Sequence, residues 1–442
     1  MTTPKRVGEG IRVAIIGGGP AGLSAAIELG RLDFVDWRLY EQKPTISEIG
    51  TGLSLQQNTW HLLEKLGASK HLKADDFFRP GDGNGHQCRD GISGVIVKQL
   101  RLPSKVPPHR APCRVHRGRL QRALLKEADA SRIRTGKKLK TIDHTAEGKV
   151  QLTFQDGFSD TVDLLIGADG IRSVVQQFAF PGYSAKYTGS TGYRTTVRVS
   201  EAERINGMTK STVFWFGDNG GWLYTTPLDG TDWEVTARVR EPDDGDRSSW
   251  GREVPVDDMK VKFTSYCEPV RQLLDLVTRV KRYDHFGGRR LPSVVQQGSV
   301  ALIGDASHPL SGAFGAGAAF ALEDSHVLAG ALKWAASSSD SPAGHRSLAD
   351  ALRLYDDVRS PHYVNLYKTL DNMGETVTKV LQSATSHEEQ IVGRVNAFSD
   401  DANDWMYYYD VSLSVPARWL SSLGPPSGSF LSLSLSLSKR GL

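Results

Sequence analysis

The sequence predicts an α/β protein in which a parallel sheet is interrupted by an antiparallel sheet and followed by helices. Residues 11–22, IRVAIIGGGPAG, form an apolar, β-branched run that ends in a glycine-rich turn and opens an Ala/Leu-rich helix. Two further apolar runs, at residues 164–168 and 299–304, have the composition of buried parallel strands. Between them, residues 183–290 alternate apolar and polar positions, which is typical of an antiparallel sheet with one buried face.

Length and composition exclude several classes of protein. A chain of 442 residues predicts two closely packed domains. The net charge of +4 is spread along the chain, so we expect no nucleic-acid partner. Three scattered cysteines (Cys88, Cys113 and Cys267) favour a reducing compartment and no structural metal site. No hydrophobic signal core or long apolar run is present, which predicts a cytoplasmic protein without a membrane span.

The first turn has the spacing of a dinucleotide-binding motif. Gly17, Gly19 and Gly22 give G-x-G-x-x-G between a strand and a helix, where glycines permit the tight turn and close approach of a pyrophosphate. The phosphate would lie on free N–H groups at the helix N-terminus. The next strand ends in Glu41, nineteen residues after Gly22, where an acid is expected to bind the adenosine ribose. A Rossmann-like domain follows from this combination.

The chain from residue 50 to residue 125 is less regular. Gly50, Gly52 and Ser54 follow the ribose strand and are expected to pass close to a cofactor. Residues 79–112, rich in Gly, Pro, Asp and Arg, predict irregular strands and loops. Arg117 begins the next helix, and its position alone favours a surface residue over a ligand contact.

The second apolar run completes the parallel sheet. A hairpin is predicted around Asp156 and Gly157, followed by a buried strand that ends in Asp169 and Gly170. Such a strand places these two residues at the carboxyl edge of the sheet, where α/β folds bind ligands.

The inserted sheet carries aromatic side chains. We predict one apolar face bearing Tyr193, Phe214, Phe216, Trp222 and Tyr224. Aromatics on a sheet face usually form core, although some of these could line a pocket for a flat substrate.

The third run ends in Gly304 and Asp305, followed by a glycine loop and a helix that begins near Ala316. Asp305 could bind a sugar hydroxyl, and the helix dipole could stabilise negative charge. His308 has no second ligand at a matching spacing, so no metal site is expected. The Ser/Leu-rich end of the chain predicts a tail without a catalytic role.

The three motifs in this order resemble the class A flavin-dependent aromatic monooxygenases, the group of p-hydroxybenzoate and salicylate hydroxylases. The resemblance covers roughly residues 11–380, through GGGPAG, GADGIRS and GDASHPLSGAFGAGAAFALED. Within this family, the chain is similar in particular to the salicylate-hydroxylase-like branch found in fungal secondary metabolism.

The resemblance implies an FAD-binding domain in two parts, residues 1–182 and 291–398, the second including the C-terminal helices. A substrate domain would span residues 183–290, and a C-terminal tail residues 399–442.

The resemblance also implies a set of cofactor-binding residues. These are Gly17, Gly19, Pro20, Ala21, Gly22, Glu41, Ser54, Arg117, Asp169, Gly170, Asp305, Gly315, Ala316, Gly317 and Ala318. Arg117, in an H-R-x-x-L pattern, is thereby expected to contact FAD. The chain departs from the family pattern at Gly312, Ala319 and Gln176, and these departures bear on the pocket beside the flavin and on NADPH docking.

The implied reaction uses FAD, NADPH (or NADH) and O2. A flavin C4a-hydroperoxide would transfer one oxygen to a phenol or another electron-rich aromatic, with Arg194 and Tyr224 as candidate catalytic residues. The spacing of these two is similar to that of an Arg and Tyr pair in the dearomatising phenol hydroxylases. The alternative to a catalytic role is a surface ion pair for Arg194 and core packing for Tyr224.

The same motifs are compatible with other activities. Ring hydroxylation, dearomatisation and indole-type epoxidation would use the same flavin. A flavin oxidase or dehydrogenase without NADPH, and a non-catalytic flavin-binding module, are further alternatives. A monomer or a homodimer is expected.

Overall fold

We describe the protein from a computed structural model, which covers residues 5–47, 51–81, 83–103, 106–183, 185–218, 220–310, 315–337, 346–398 and 405–411. The strands of these residues are β1 (Ile11–Ile16), β2 (Val35–Tyr40), β3 (Gly52–Leu55), β4 (Phe77–Phe78), β5 (Asn84–Asp90), β6 (Ile96–Arg101), β7 (Cys113–His116), β8 (Ile133–Arg134), β9 (Leu139–His144), β10 (Val150–Phe154), β11 (Ser159–Val162), β12 (Leu164–Gly167), β13 (Lys186–Arg198), β14 (Thr212–Phe216), β15 (Trp222–Pro227), β16 (Asp232–Arg240), β17 (Trp250–Val254), β18 (Val280–Gly287), β19 (Val295–Gln296) and β20 (Val300–Leu302). The α-helices are α1 (Pro20–Leu29), α2 (Gln57–Leu66), α3 (Arg117–Leu125), α4 (Val174–Ala179), α5 (Val199–Ala202), α6 (Asp257–Lys260), α7 (Glu268–Asp275), α8 (Gly317–Ala336), α9 (Leu348–Ser383), α10 (His387–Phe398) and α11 (Trp405–Tyr408).

The first sheet is the predicted Rossmann-like sheet. Its strand order is β19-β20-β12-β1-β2-β8, with parallel pairing throughout except between β19 and β20. Alternate residues of β1 face opposite layers: Val13 and Ile15 pack with the helices, whereas Ala14 and Ile16 pack with β9 to β11. The predicted hairpin at Gly157 joins β10 to β11, and β12 lies beside β1, which confirms the predicted fold class.

The second sheet has eight strands in the order β17-β18-β13-β16-β15-β14-β5-β6. Its outer face packs on α6 and α7 through residues such as Trp215 and Leu223. Its inner face carries Phe214, Trp222 and Tyr224. The prediction that Tyr193 shares that face is wrong: Tyr193 pairs with Ala237 on the outer face, one step along the strand from Arg194.

The stretch at residues 79–112 is more regular than the sequence indicated. It contains β5 and β6, and β5 pairs in parallel with β14 of the second sheet. This hairpin therefore extends the antiparallel sheet, although the sequence analysis placed it with the first part of the FAD-binding domain.

Helices complete the fold at the C-terminal side. The 36-residue α9 packs against α8, and α10 packs against α9. Met406 and Val411, within the predicted tail, are each 1% exposed and belong to the core; residues 412–442 lie outside the described residues. No helix in the described ranges combines the length and apolar character needed to cross a membrane.

Candidate active site

The glycine turn after β1 is a cradle that larger residues would fill. Gly17 has φ 109°, and a Cβ there would overlap the Ala168 carbonyl. A Cβ at Gly22 would overlap the carbonyl of Gly17. Gly19 caps α1 without a side-chain hydrogen bond, and Pro20 occupies the first turn of the helix. The backbone N–H groups at the start of α1 are therefore available to a pyrophosphate, as the first motif requires.

Glu41 lies at the end of β2, directly beside this turn. Its Oε2 accepts a hydrogen bond from the backbone N–H of Gly18, and its Oε1 accepts one from Lys43, both at 2.8 Å. The Gln121 side chain donates to the Gly18 carbonyl at 2.9 Å and holds the same turn from α3. The structure thus places Glu41 at the carboxyl edge of the sheet, where the sequence predicts ribose binding.

The third motif packs directly on the first. Gly304 has φ 60°, and a Cβ there would lie 2.9 Å from the Cβ of Ala21. Ser24 and Ser325 share a hydrogen bond of 2.8 Å between α1 and α8. Asp305 follows Gly304 and faces the start of α8. The first and third motifs, far apart in the sequence, are therefore in direct contact.

The second motif lies at the same edge but uses its carboxylate within the protein. Asp169 accepts hydrogen bonds from the Ser173 hydroxyl and from the backbone N–H of Val174, and so caps α4. Burial raises the pKa of Asp169. Gln176, a departure from the family pattern, donates to the Ala306 carbonyl at 2.6 Å and ties α4 to the third motif.

The loop that precedes α8 approaches β3. Gly315 has φ 62°, and a Cβ there would lie 3.0 Å from the Ser54 hydroxyl. Ala316 is buried at the N-cap of α8, and Gly317 and Ala318 begin the helix. Arg117 begins α3, with its backbone N–H bonded to the Thr51 carbonyl.

Among the departures, Ala319 is buried within α8, whereas Gly312 lies outside the described residues.

The inner face of the second sheet brings the two candidate catalytic residues together. Arg194 on β13 pairs with Thr236 on β16, and Thr236 pairs with Tyr224 on β15. Directly paired residues project to the same face, so these three side chains form one row. The Arg194 guanidinium lies 5.4 Å from the Tyr283 ring centroid, and its Nε is buried without a hydrogen-bond partner among the described residues.

Burial and the neighbouring charges shift the pKa values of Arg194 and Tyr224. Burial is the largest effect lowering the pKa of Arg194; the positive charges of Arg117 and Arg114 add to it, while Glu234 opposes it. Burial raises the pKa of Tyr224 to about 12, so its hydroxyl is protonated at neutral pH and can donate.

Arg114, on β7 of a small third sheet with the order β3-β7-β4, contacts the eight-stranded sheet and was not among the predicted site residues. It donates to the Ser54 hydroxyl at 2.8 Å, forms an ion pair with Glu234, and lies 5.1 Å from the Tyr224 ring centroid. Burial alone would raise the pKa of Glu234, but Arg114 holds it below the ordinary value. An arginine in a short polar strand gives no sequence signal of burial, because its partner comes from a distant segment.

A second missed cluster supports the third motif from behind. The Asp324 carboxylate accepts from the Gly304 backbone N–H, contacts His308 Nε2 at 2.9 Å, and accepts from Arg359 Nε at 2.8 Å. Arg359 also pairs with Glu323 at 3.0 Å. Despite burial, Arg359 and His308 lower the pKa of Asp324 to about 2, whereas burial raises that of Glu323 to about 7. His308 thus lies in an ion-pair network behind the third motif.

Comparisons with known proteins agree with this geometry. Residues 10–350 match the model of the family described as FAD binding domain. A salicylate hydroxylase of Pseudomonas putida is 28% identical over 421 residues, 91% of this chain and 93% of its own length. A 6-methylsalicylate 1-monooxygenase of Aspergillus terreus is 32% identical over 335 residues, 72% of this chain and 74% of its own length.

A solved structure has the same fold. The substrate complex of a salicylate hydroxylase superposes with a TM-score of 0.75 at 24% identity, over 92% of this chain and 98% of that one. With the glycine cradle, the three motifs at one sheet edge and the family match over most of its length, the chain belongs to the FAD binding domain family and is a flavin-dependent aromatic monooxygenase of class A.

Proposed function

We propose that the protein uses FAD and NADPH to add one oxygen atom of O2 to a phenol or another electron-rich aromatic ring. The observation that carries this proposal is the row of Arg194, Thr236 and Tyr224 on the inner face of the second sheet, where Arg114 lies 5.1 Å from the Tyr224 ring centroid and also bonds Ser54 of β3. The Arg194 guanidinium, whose Nε has no partner among the described residues, and the protonated Tyr224 hydroxyl can both donate to the oxygen of a phenol.

The cofactor site fits FAD. The start of α1 would bind the pyrophosphate, Glu41 the adenosine ribose, Asp305 the ribityl chain, and residues 315–318 the pyrimidine end of the ring. Gly17 and Gly22, where any Cβ would overlap backbone, are the observation that supports this fit. When bound, FAD reduced by NADPH supplies the activated oxygen, and the protein contributes orientation, dryness and charge.

The side chains of the row make the substrate ring reactive. Arg194 would hold the phenol oxygen as its phenolate through a charge-assisted hydrogen bond, which raises the electron density of the ring. Tyr224 would donate to the same oxygen, since its proton stays in place at neutral pH. Arg114 is neutralised by Glu234 and so keeps Tyr224 in position without competing for the phenolate.

The relatives favour the same substrate class. Their names state that they act on salicylate and 6-methylsalicylate, which are hydroxylated aromatic acids. We infer a similar ring for this chain. We also propose a cytoplasmic location, which the three free cysteines support. A monomer or homodimer stays a prediction.

The test is aerobic oxidation of NADPH by the purified yellow protein with a panel of phenols and indoles. We expect phenols to accelerate NADPH oxidation and to gain one oxygen by mass spectrometry. Flavin reduction by the aromatic compound itself, without NADPH, would instead identify an oxidase or dehydrogenase. Oxygen gain confined to indoles would identify the epoxidase alternative.

A further inference from the structure

One end of the inner face of the second sheet is covered by α10. The helix turns one side toward the sheet at the spacing i, i+3, i+4 and i+7, through Ile391, Arg394, Val395 and Phe398. This side packs against Cys88 of β5 and Phe216 of β14, which are 0% and 2% exposed. Val392, on the other side of the helix, is 40% exposed. α10 therefore forms a wall over this end of the sheet.

Arg394 anchors the wall to the turn between β14 and β15. Its side chain is buried, its Nη1 donates to the Gly217 carbonyl, and its Nη2 donates to the Gly221 carbonyl at 2.6 Å. Toward α9, a Cβ at Gly393 would lie 2.9 Å from the Val380 side chain, so the two helices are in close contact. The position of α10 against the sheet is therefore fixed from both sides.

Phe398, the last residue of α10, packs on the row that contains Tyr224. Its ring centroid lies 4.6 Å from that of Phe214, and the Phe214 centroid lies 4.6 Å from that of Tyr224. Phe214 and Tyr224 are directly paired on β14 and β15, so Phe214 continues the row that begins at Arg194. The row changes from charged to aromatic along the sheet, and Phe398 covers its aromatic end.

The surroundings of Phe398 are filled by other rings and carry no charge. The His86 ring centroid lies 5.3 Å from that of Phe214 and 5.9 Å from that of Phe398. Burial lowers the pKa of His86 to about 4, so this imidazole is neutral at neutral pH. Closely packed rings admit an additional group only if one of them moves. A substrate held by its oxygen at the polar end of the row therefore meets an apolar boundary at Phe214 and Phe398.

We propose that Phe398 is a specificity-determining residue that limits the size of the aromatic substrate on the side of β14. The proposal rests on the proposed function, because it requires a phenol whose oxygen is bound by Arg194 and Tyr224. A single ring ends before the boundary, whereas a second, fused ring on that side overlaps the Phe398 side chain. Shortening this side chain opens room for the second ring.

The test compares phenol with 2-naphthol, which carries the same hydroxyl on a ring with a second ring fused to it. Each is titrated into the FAD-loaded protein while the flavin absorbance is recorded, so that Kd is measured without turnover. We expect Phe398→Ala to lower the ratio of the 2-naphthol Kd to the phenol Kd about 10- to 100-fold, the discrimination typical of a change in the size of an apolar pocket. Phe398→Leu should lower the ratio by a smaller factor.

Val392→Ala is the matched control, because it shortens an exposed side chain of the same helix and should leave the ratio unchanged. An unchanged ratio in Phe398→Ala, or an equal fall of the ratio in Val392→Ala, would overturn the proposal. If Phe398→Ala no longer retains FAD, Phe398→Leu decides in its place, since it keeps an apolar side chain against Phe214. Loss of FAD or an unchanged ratio in Phe398→Leu would then overturn the size limit.

Turnover separates this proposal from the proposed function. If phenol gains oxygen in the wild type but the Kd ratio does not respond to Phe398→Ala, the size limit is wrong and the monooxygenase proposal stands. If neither compound gains oxygen with NADPH, the monooxygenase proposal fails for these substrates, whereas the Kd ratio still judges Phe398. If neither ligand changes the flavin spectrum of any variant, no phenol is bound beside Phe398 and the size limit is also wrong.

Discussion

Arg194 and Arg114 show how two neighbouring arginines can have different roles. The Arg114 side chain is 12% exposed and neutralised by Glu234, so it links β7 to β16 of the eight-stranded sheet. Arg194 contacts the Tyr283 ring, and its Nε has no hydrogen-bond partner in the part of the chain that the structure describes. An arginine that is enclosed but incompletely hydrogen-bonded is suited to a ligand that completes it.

Replacement of Arg194 tests this difference. We expect Arg194→Met to retain FAD and the native unfolding temperature but to lower kcat/KM by about 10- to 150-fold, because a charge-assisted hydrogen bond contributes about 1.5–3 kcal/mol. The measurement is NADPH oxidation coupled to product formation. Arg198→Met is the matched control and should keep wild-type kcat/KM. Full turnover in Arg194→Met would remove this residue from the site.

At the scale of elements, the cofactor cradle depends on how closely α1, β1 and α8 approach one another. Gly22 lets the first turn of α1 pass over Gly17, and Gly304 lets the third motif rest on Ala21. Both contacts are backbone or short side chain, so neither can yield by rotation of a flexible group. The geometry of the cradle is therefore sensitive to a single methyl group.

Gly22→Ala is expected to abolish FAD binding, since the new Cβ overlaps a carbonyl that cannot move without opening the turn. The flavin absorbance of the purified variant measures this. Gly374→Ala is the matched control: it adds the same methyl group in α9 with no atom within 4 Å, and should keep FAD and raise stability by about 0.5–1 kcal/mol. Normal flavin content in Gly22→Ala would contradict the tight packing of the turn.

The elements that the sequence predicts well are those with local signals. The glycine spacing identified the cradle, and apolar runs identified β1, β12 and β20. Tyr193 was placed on the wrong face because both faces of β13 carry side chains that pack. β5 could not be assigned to its sheet, since it is a polar strand whose partner, β14, lies more than a hundred residues later. Arg114 and Asp324 were missed because only the folded chain supplies the partners that make their burial tolerable.

At the scale of the whole molecule, one buried ionic cluster connects distant segments. Asp324 and Glu323 on α8 share Arg359 of α9. Asn58 of α2 donates to Glu323 at 2.8 Å and to the Met406 carbonyl of α11 at 3.0 Å. The titration of the two carboxylates therefore affects the packing of four helices.

The raised pKa of Glu323 makes stability depend on pH. Between its ordinary pKa and about 7, the folded state binds a proton that the unfolded state has released, so stability falls as pH rises through this window. Asp324 acts in the opposite sense, because its lowered pKa gives stability that is lost only as pH falls toward 2.

We expect the free energy of unfolding of the wild type to decrease between pH 5 and pH 8 by on the order of 3 kcal/mol from this site. Glu323→Gln, which cannot ionise, should flatten that decrease. Chemical denaturation at both pH values measures it, with Glu388→Gln on the exposed side of α10 as control. If the free energy of unfolding depends on pH identically in the wild type and in Glu323→Gln, the pH dependence does not arise from Glu323.

The order in which the chain is synthesised has a consequence for how the cofactor is acquired. β1 and the glycine turn are synthesised before β12 and β20, which complete their sheet, and Ser24 is synthesised 301 residues before its hydrogen-bond partner Ser325. The antiparallel sheet and its helices are complete before α8 appears. The first motif therefore lacks its contact with α8 until late in translation, and flavin uptake belongs to the last stage of folding.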